Sequence, residues 1–123
     1  MSTTLATVAS PLADKLVTLV LSTSTEEDNV SGSSGKLYGI EIDNTLNTVA
    51  CYIKAVNIAN ATSTSHSAMW KFYAPASTKQ TYMIPAGAAF SVGFSAWATT
   101  TAANGTTQAF DGTGNITVTL LCD

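Results

Sequence analysis

The chain has 123 residues, of which 46% are hydrophobic and only 11% charged; five lysines, no arginine and eight carboxylates leave a net charge of −3. That length reads as one domain, and at roughly 6,200 Å² of folded surface it carries one charge per roughly 480 Å². The missing arginine and acidic balance exclude a phosphate-reading face for nucleic acid and a polybasic membrane surface.

Polarity comes instead from 33 serines and threonines. Such a surface repels its own copies weakly and suits packing against other copies or another protein. A neutral extracellular domain solvated by hydroxyls is the alternative.

Residues 1–15 are small and hydroxylated, with Pro11, and read as an amino-terminal arm ahead of a domain at 16–123. The amino end lacks a basic leader region, and Asp14 and Lys15 directly precede the apolar run. No signal peptide is expected, so the chain is expected to start in a cytosol. LVTLVL, 16 to 21, is too short to span a bilayer and opens a first strand at about 16–23. EEDNVSGSSG, 26–35, is a polar loop holding the densest charge.

KLYGIEIDNTLNTVACYIKAVN, 36–57, has the clearest alternation and predicts a hairpin. Tyr38, Ile40 and Ile42 share the expected core face, with Leu37, Gly39, Glu41 and Asp43 opposite. Val49, Cys51, Ile53 and Ala55 point inward on the second strand, which places Tyr52 and Lys54 outward. DNTLNT between them is rich in turn formers. Glu41 and Asp43 read as charges that guard a sheet edge.

After a soft loop at 57–67, AMWKFYAP (68–75) carries aromatics on both faces. Trp70 and Phe72 lie on one side, Met69, Lys71 and Tyr73 on the other. Such a strand is either central in a covered sheet or meets a partner. TYMIPAG, 81–87, is a short strand broken by Pro85. AFSVGFSAWAT, 89–99, is a strong strand with Phe90, Val92, Phe94 and Ala96 inward and Trp97 on the outward set. A long loop spans 100–115, and ITVTLLCD closes the chain with Ile116, Val118, Leu120 and Cys122 inward. The expected fold is all-β: a single antiparallel β-sandwich, jelly-roll-like or Ig-like, of seven or eight strands with an amino-terminal arm.

Chemistry is hard to find in this pattern. His66 is the sole histidine and sits among serines and threonines without an acidic neighbour. Glu41 and Asp43 alone make a weak acid/base or cation pair, and DGTGN, 111–115, has one carboxylate where calcium loops use several. Cys51 and Cys122 read as buried free thiols, a disulfide being the lesser alternative. The four glycosylation-type triplets, at Asn29, Asn60, Asn104 and Asn115, carry no weight without a secretory leader. The residues therefore suggest no catalytic group, cofactor or metal. The candidates for a partner interface are Trp97, Tyr52, Lys54 and Tyr73.

SSGKLYGIEIDNTLNTVACYIKAVN, then PAGAAFSVGFSAWAT, then ITVTLLC, resemble small virion proteins of tailed bacteriophages, cyanophages among them, that decorate or cement capsids. Those sequences share a G-K-L-x-x-I-x-I-x-N-T opening, matched by Gly35 to Ile42 with Asn44 and Thr45. A Y-[VL]-K strand follows, matched at Tyr52 to Lys54, and then P-x-G-x-x-F-x-x-G-[FL]-S, matched at Pro85 to Ser95. The similarity covers residues 33 to 122. Val56 stands where the family has an aromatic, and the loop at 100–115 is long. The resemblance implies a non-enzymatic β-sandwich on the capsid surface of a virion, made in the host cytoplasm. It would bridge major capsid protein subunits and assemble as homo-oligomers such as trimers, touching neither nucleic acid nor membrane. Loops, sheet edges and the arm would make the contacts. A head-fibre, vertex or tail component and a carbohydrate-binding module built on Trp97 and Tyr52 are the alternatives.

Overall fold

The computed structural model describes residue 13 and residues 15–21, 26–61, 67–102 and 114–123. Apart from Ala13 and Lys15, the expected arm therefore lies outside the described residues, as do His66 and most of the 100–115 loop. There is no helix among the described residues, and so none long and apolar enough to cross a membrane.

Among the described residues seven strands form two antiparallel sheets: β1 (Lys15–Leu21), β2 (Gly35–Asp43), β3 (Cys51–Asn57), β4 (Trp70–Ala74), β5 (Lys79–Phe90), β6 (Phe94–Thr99) and β7 (Ile116–Cys122). One sheet has the order β1-β7-β2-β5 and the other β4-β3-β6. A short segment after β1 completes the second sheet. Glu27 and Ala96 exchange two backbone hydrogen bonds (2.7 and 3.0 Å), and Val30 N–H donates to the Phe94 carbonyl (2.8 Å). Counted as a reduced second strand, this segment makes the orders 1-8-3-6 and 5-4-7-2. That is the order of a jelly roll. In an Ig sandwich the last strand lies in the opposite sheet from the first; here they are neighbours.

The two inner faces make one apolar core. Ile116, Val118, Leu120 and Cys122 are buried together, as their alternation predicted. Leu37, Ile40, Ile42, Ile53, Phe90 and Phe94 join them, and Trp70 packs at the margin, stacked on Phe94 with ring centroids 5.7 Å apart. Each such large side chain stabilises the fold by about 1.5–3 kcal/mol relative to exposure. Cys51 and Cys122 are buried and not joined by a disulfide, and burial pushes the Cys51 thiol up to about 11.

Three expectations are corrected. First, 36–57 is not a hairpin, because β2 and β3 belong to different sheets. The chain between them crosses the sandwich, pinned by buried Asn44 and Asn47. Second, β2 carries a bulge between Leu37 and Gly39. One extra residue reverses the facing of everything before it, so Leu37 points inward opposite Cys122, and Tyr38 is only half-buried, its hydroxyl 3.3 Å from Asp123 Oδ2. Third, 81–87 and 89–99 are redistributed. β5 is one long outer strand in which Pro85 is tolerated, because residues 84–87 bulge out of the ladder and Gly87 takes φ 78°. The chain then crosses sheets at Ser91–Gly93. Asn57 holds that crossing, its Oδ1 accepting from the N–H groups of Val92 (2.8 Å) and Gly93 (3.3 Å). Val92 and Val49, both expected inward, are exposed because they lie in crossings rather than strands.

Candidate functional site

The outer face of the three-stranded sheet holds all four predicted interface residues. Its register builds two rows across β4, β3 and β6: Tyr73–Tyr52–Thr99 and Lys71–Lys54–Trp97. The alternation therefore assigned their facing correctly. Exposure is another matter, because only part of that face is open.

Tyr73 is 45% exposed and Tyr52 half-buried, with ring centroids 5.4 Å apart and planes at 51°. This cross-strand pair is tilted, a favourable aromatic geometry. It stands at the end of the sheet away from the covering loop. β4 is an outer strand, so of the two expectations for 68–75, central in a covered sheet or an outer face that meets a partner, the first does not hold. Met69, 58% exposed, precedes it.

Trp97 and Lys54 are corrected. Both are fully buried. The chain after β3 folds back over this end of the sheet, so that Val56, Ala61 and Trp97 form a second apolar cluster with Ile58 and Ala68 packed against it. Ser95 Oγ donates to the Ile58 carbonyl (2.6 Å), and Asp28 Oδ1 accepts from Ala61 N–H (2.8 Å), which ties the cover to the body. Trp97 Nε1 is buried with no hydrogen-bond partner among the described residues.

Lys54 lies between Lys71 and Trp97 in its row. Burial, with Lys71 adding repulsion, lowers its pKa below the ordinary lysine value of 10.5. A base with a lowered folded pKa holds fewer protons folded than unfolded in the window ending at 10.5. Stability therefore rises with pH across that window. Lys54→Met is expected to flatten that rise, read as a smaller gain in the midpoint of thermal unfolding between pH 7 and 10.5 than the wild type shows. A variant whose midpoint climbs with pH as the wild type's does would refute this account.

Glu41 and Asp43 do not guard an edge. β2 is an inner strand, and the edges of its sheet are β1 and β5. Asp43 caps the turn that follows: its Oδ1 accepts from Thr45 Oγ1 (2.5 Å) and Thr45 N–H (3.0 Å). Those bonds, with Lys79 beside it, hold its carboxyl below the usual range. Among the described residues no three histidines, cysteines or carboxylates gather where they could hold a metal.

A second surface escaped the sequence reading. On the outer face of the four-stranded sheet, Leu16, Leu121, Gly39 and Met83 pair successively across β1, β7, β2 and β5. They line a shallow, almost wholly apolar depression of about 180 Å³. Each residue comes from a different strand, so no single stretch of sequence displays the row. The signal would have been the sheet register, which alternation within one strand does not contain.

No protein-family model, no curated protein and no solved structure matches this chain; what is established is its fold class, an all-β sandwich of two antiparallel sheets.

Proposed function

We propose that this chain is a non-enzymatic structural protein of a phage virion that decorates or cements the capsid shell by bridging major capsid subunits. The observation that carries the reading is the Tyr52–Tyr73 pair, open on an outer sheet face in a chain of sparse charge. Rigid aromatic side chains on a weakly charged face are the kind of group that dominates protein interfaces. The resemblance of residues 33–122 to phage decoration proteins supports a major capsid protein as the partner. Binding to assembled shells but not to free subunits stabilises the shell by mass action, and self-association into trimers multiplies weak contacts.

The carbohydrate-module alternative loses one of its two aromatic supports, because Trp97 is in the interior. A head-fibre, vertex or tail position is separated from decoration by the number of copies per particle.

The test is co-sedimentation with assembled shells and, separately, with free capsid subunits. The wild type is expected to pellet with shells only. Tyr52→Ala/Tyr73→Ala, checked for an unchanged fold by tryptophan fluorescence, should bind about 30-fold more weakly, equivalent to about 2 kcal/mol. Wild-type affinity in that variant removes the tyrosine face from the reading, and failure of the wild type to pellet with any shell removes the function.

A further inference from the structure

An edge strand offers a row of unpaired backbone N–H and C=O groups to any other chain, and proteins blunt such edges with charges, proline, bulges or shortness. Among the described residues, three of the four sheet edges carry such guards. β5 has Lys79 and Pro85 and bulges over residues 84–87. β4 is five residues long and carries exposed Lys71, and its Tyr73 carbonyl already accepts from Tyr82 Oη (2.5 Å). The segment paired with β6 holds three successive carboxylates, Glu26, Glu27 and Asp28.

β1 is the exception. After Lys15 its sequence, LVTLVL, has no charge, proline or glycine. Its register with β7 runs unbroken from Lys15 opposite Cys122 to Leu21 opposite Ile116, so no bulge turns the strand aside. The Lys15 amine is drawn off to the Ser31 carbonyl (3.0 Å) and Ser33 Oγ (3.1 Å). Among the described residues β1 pairs with β7 alone. Leu16 and Val20 stand 73% and 49% exposed on its outer face.

The strand's match to itself selects the occupant. Antiparallel pairing centred on Thr18 overlaps the whole of β1 in two copies. Residues directly opposite share a face, so Leu16 meets Val20 and Thr18 meets Thr18 on the outer face, and Val17 meets Leu19 on the inner one. Each Lys15 falls opposite Leu21, so no like charges meet. The strip is about 24 Å long and about 10 Å thick and closes about six backbone hydrogen bonds. That is well short of the ~800 Å² per partner of a standard interface, which makes the contact weak and reversible. A net charge of −3 opposes it little. The pairing is isologous and uses up both β1 edges. Only the guarded β5 edges remain outside, so growth stops at two copies.

We infer that two copies of this chain associate through their β1 strands, antiparallel about Thr18, into one continuous eight-stranded sheet. The inference is independent of the shell reading: the contact is twofold, and it forms in the free protein.

Sedimentation of the full-length protein from about 10 µM to about 1 mM tests it, with half-association expected near about 100 µM. The mass should rise from 12.7 kDa toward twice that value and no further. Thr18 is exposed, so its substitution spares the core. Thr18→Lys alone and Thr18→Glu alone should each associate at least about tenfold more weakly, because like charges then face each other across the axis. An equimolar mixture of the two should regain wild-type association or exceed it. Thr81→Lys, on the guarded β5 edge, should change nothing. Tryptophan fluorescence checks that every variant keeps the fold. A wild type that stays monomeric at about 1 mM, a mass that climbs past the dimer, or a mixture that associates no better than its two components overturns the inference. The first result leaves the β1 edge to a different chain or to the protein's own remaining residues.

Discussion

Asn44→Ala is expected to remove about 3–5 kcal/mol of stability, out of the 5–15 kcal/mol typical of a domain. Asn44 is fully buried where β2 leaves its sheet. Its Nδ2 donates to the carbonyls of Val49 (3.1 Å), Ala74 (3.3 Å) and Pro75 (3.1 Å). Its Oδ1 accepts from Asn47 Nδ2 (2.9 Å), and Asn47 Oδ1 in turn accepts from Gly114 N–H (2.7 Å). The Asn47 carbonyl takes Ser77 N–H (2.8 Å) and Ser77 Oγ (3.1 Å). One side chain thus ties the β2–β3 crossing to the end of β4, and through Asn47 to the β4–β5 turn and the start of the last strand. Alanine orphans several buried polar groups at once, at about 1–3 kcal/mol each. Urea unfolding should show a lower midpoint with an unchanged slope. A loss below about 1 kcal/mol would mean that the carbonyls find other donors and the network is not what holds the crossing.

Trp97→Ala should be about as damaging, at about 3–5 kcal/mol, because the indole fills the second cluster beneath the chain that follows β3. Trp97→Phe should lose less than about 1.5 kcal/mol. Phenylalanine keeps most of the apolar volume and deletes an N–H that finds no partner among the described residues, so the change relieves a desolvated donor while opening a small void. The contrast between the two substitutions separates packing from contact. Were Trp97 a surface residue, both would leave stability unchanged. Chemical unfolding of the two variants beside the wild type decides it.

These two sites mark where the sequence was readable and where it was not. β7 was legible to the residue, since one of its faces meets the core and the other is only half-covered, which is the condition under which alternation reports burial. β3 and β6 alternate equally well, yet their polar-looking faces are covered at one end. The cover consists of Ile58, Ala61 and Ala68, spread through a stretch that reads as a soft loop. Nothing in the local pattern of FSAWAT says that residues 29 to 39 positions before Trp97 will lie on it. The turn formers Asn44 and Asn47 were recognised as turn chemistry, but a turn that changes sheets is written in the same residues as one that closes a hairpin. The bulge at Tyr38 hid in the strongest strand pattern of all, because one additional residue leaves composition unchanged while exchanging the two faces. Of the four interface candidates, Tyr52 and Tyr73 are open to a partner and Lys54 and Trp97 are not. The residues of the Gly39 depression meet only through a four-strand register.

The position of β7 has a consequence for how the chain reaches this state. It is the central seam of its sheet, hydrogen-bonded to β1 on one side and β2 on the other, although Ile116 is 95 positions beyond Leu21, its partner in that seam. During synthesis β1 cannot pair with β7 until residues 116–122 have left the ribosome, whereas β2 has β5 available earlier. A nascent chain stopped short of that seam leaves β1 without its ladder partner and one side of β2 open. Closing this seam is slow in the manner of long-range β pairings, and the interval before it closes is when the chain is most open to aggregation.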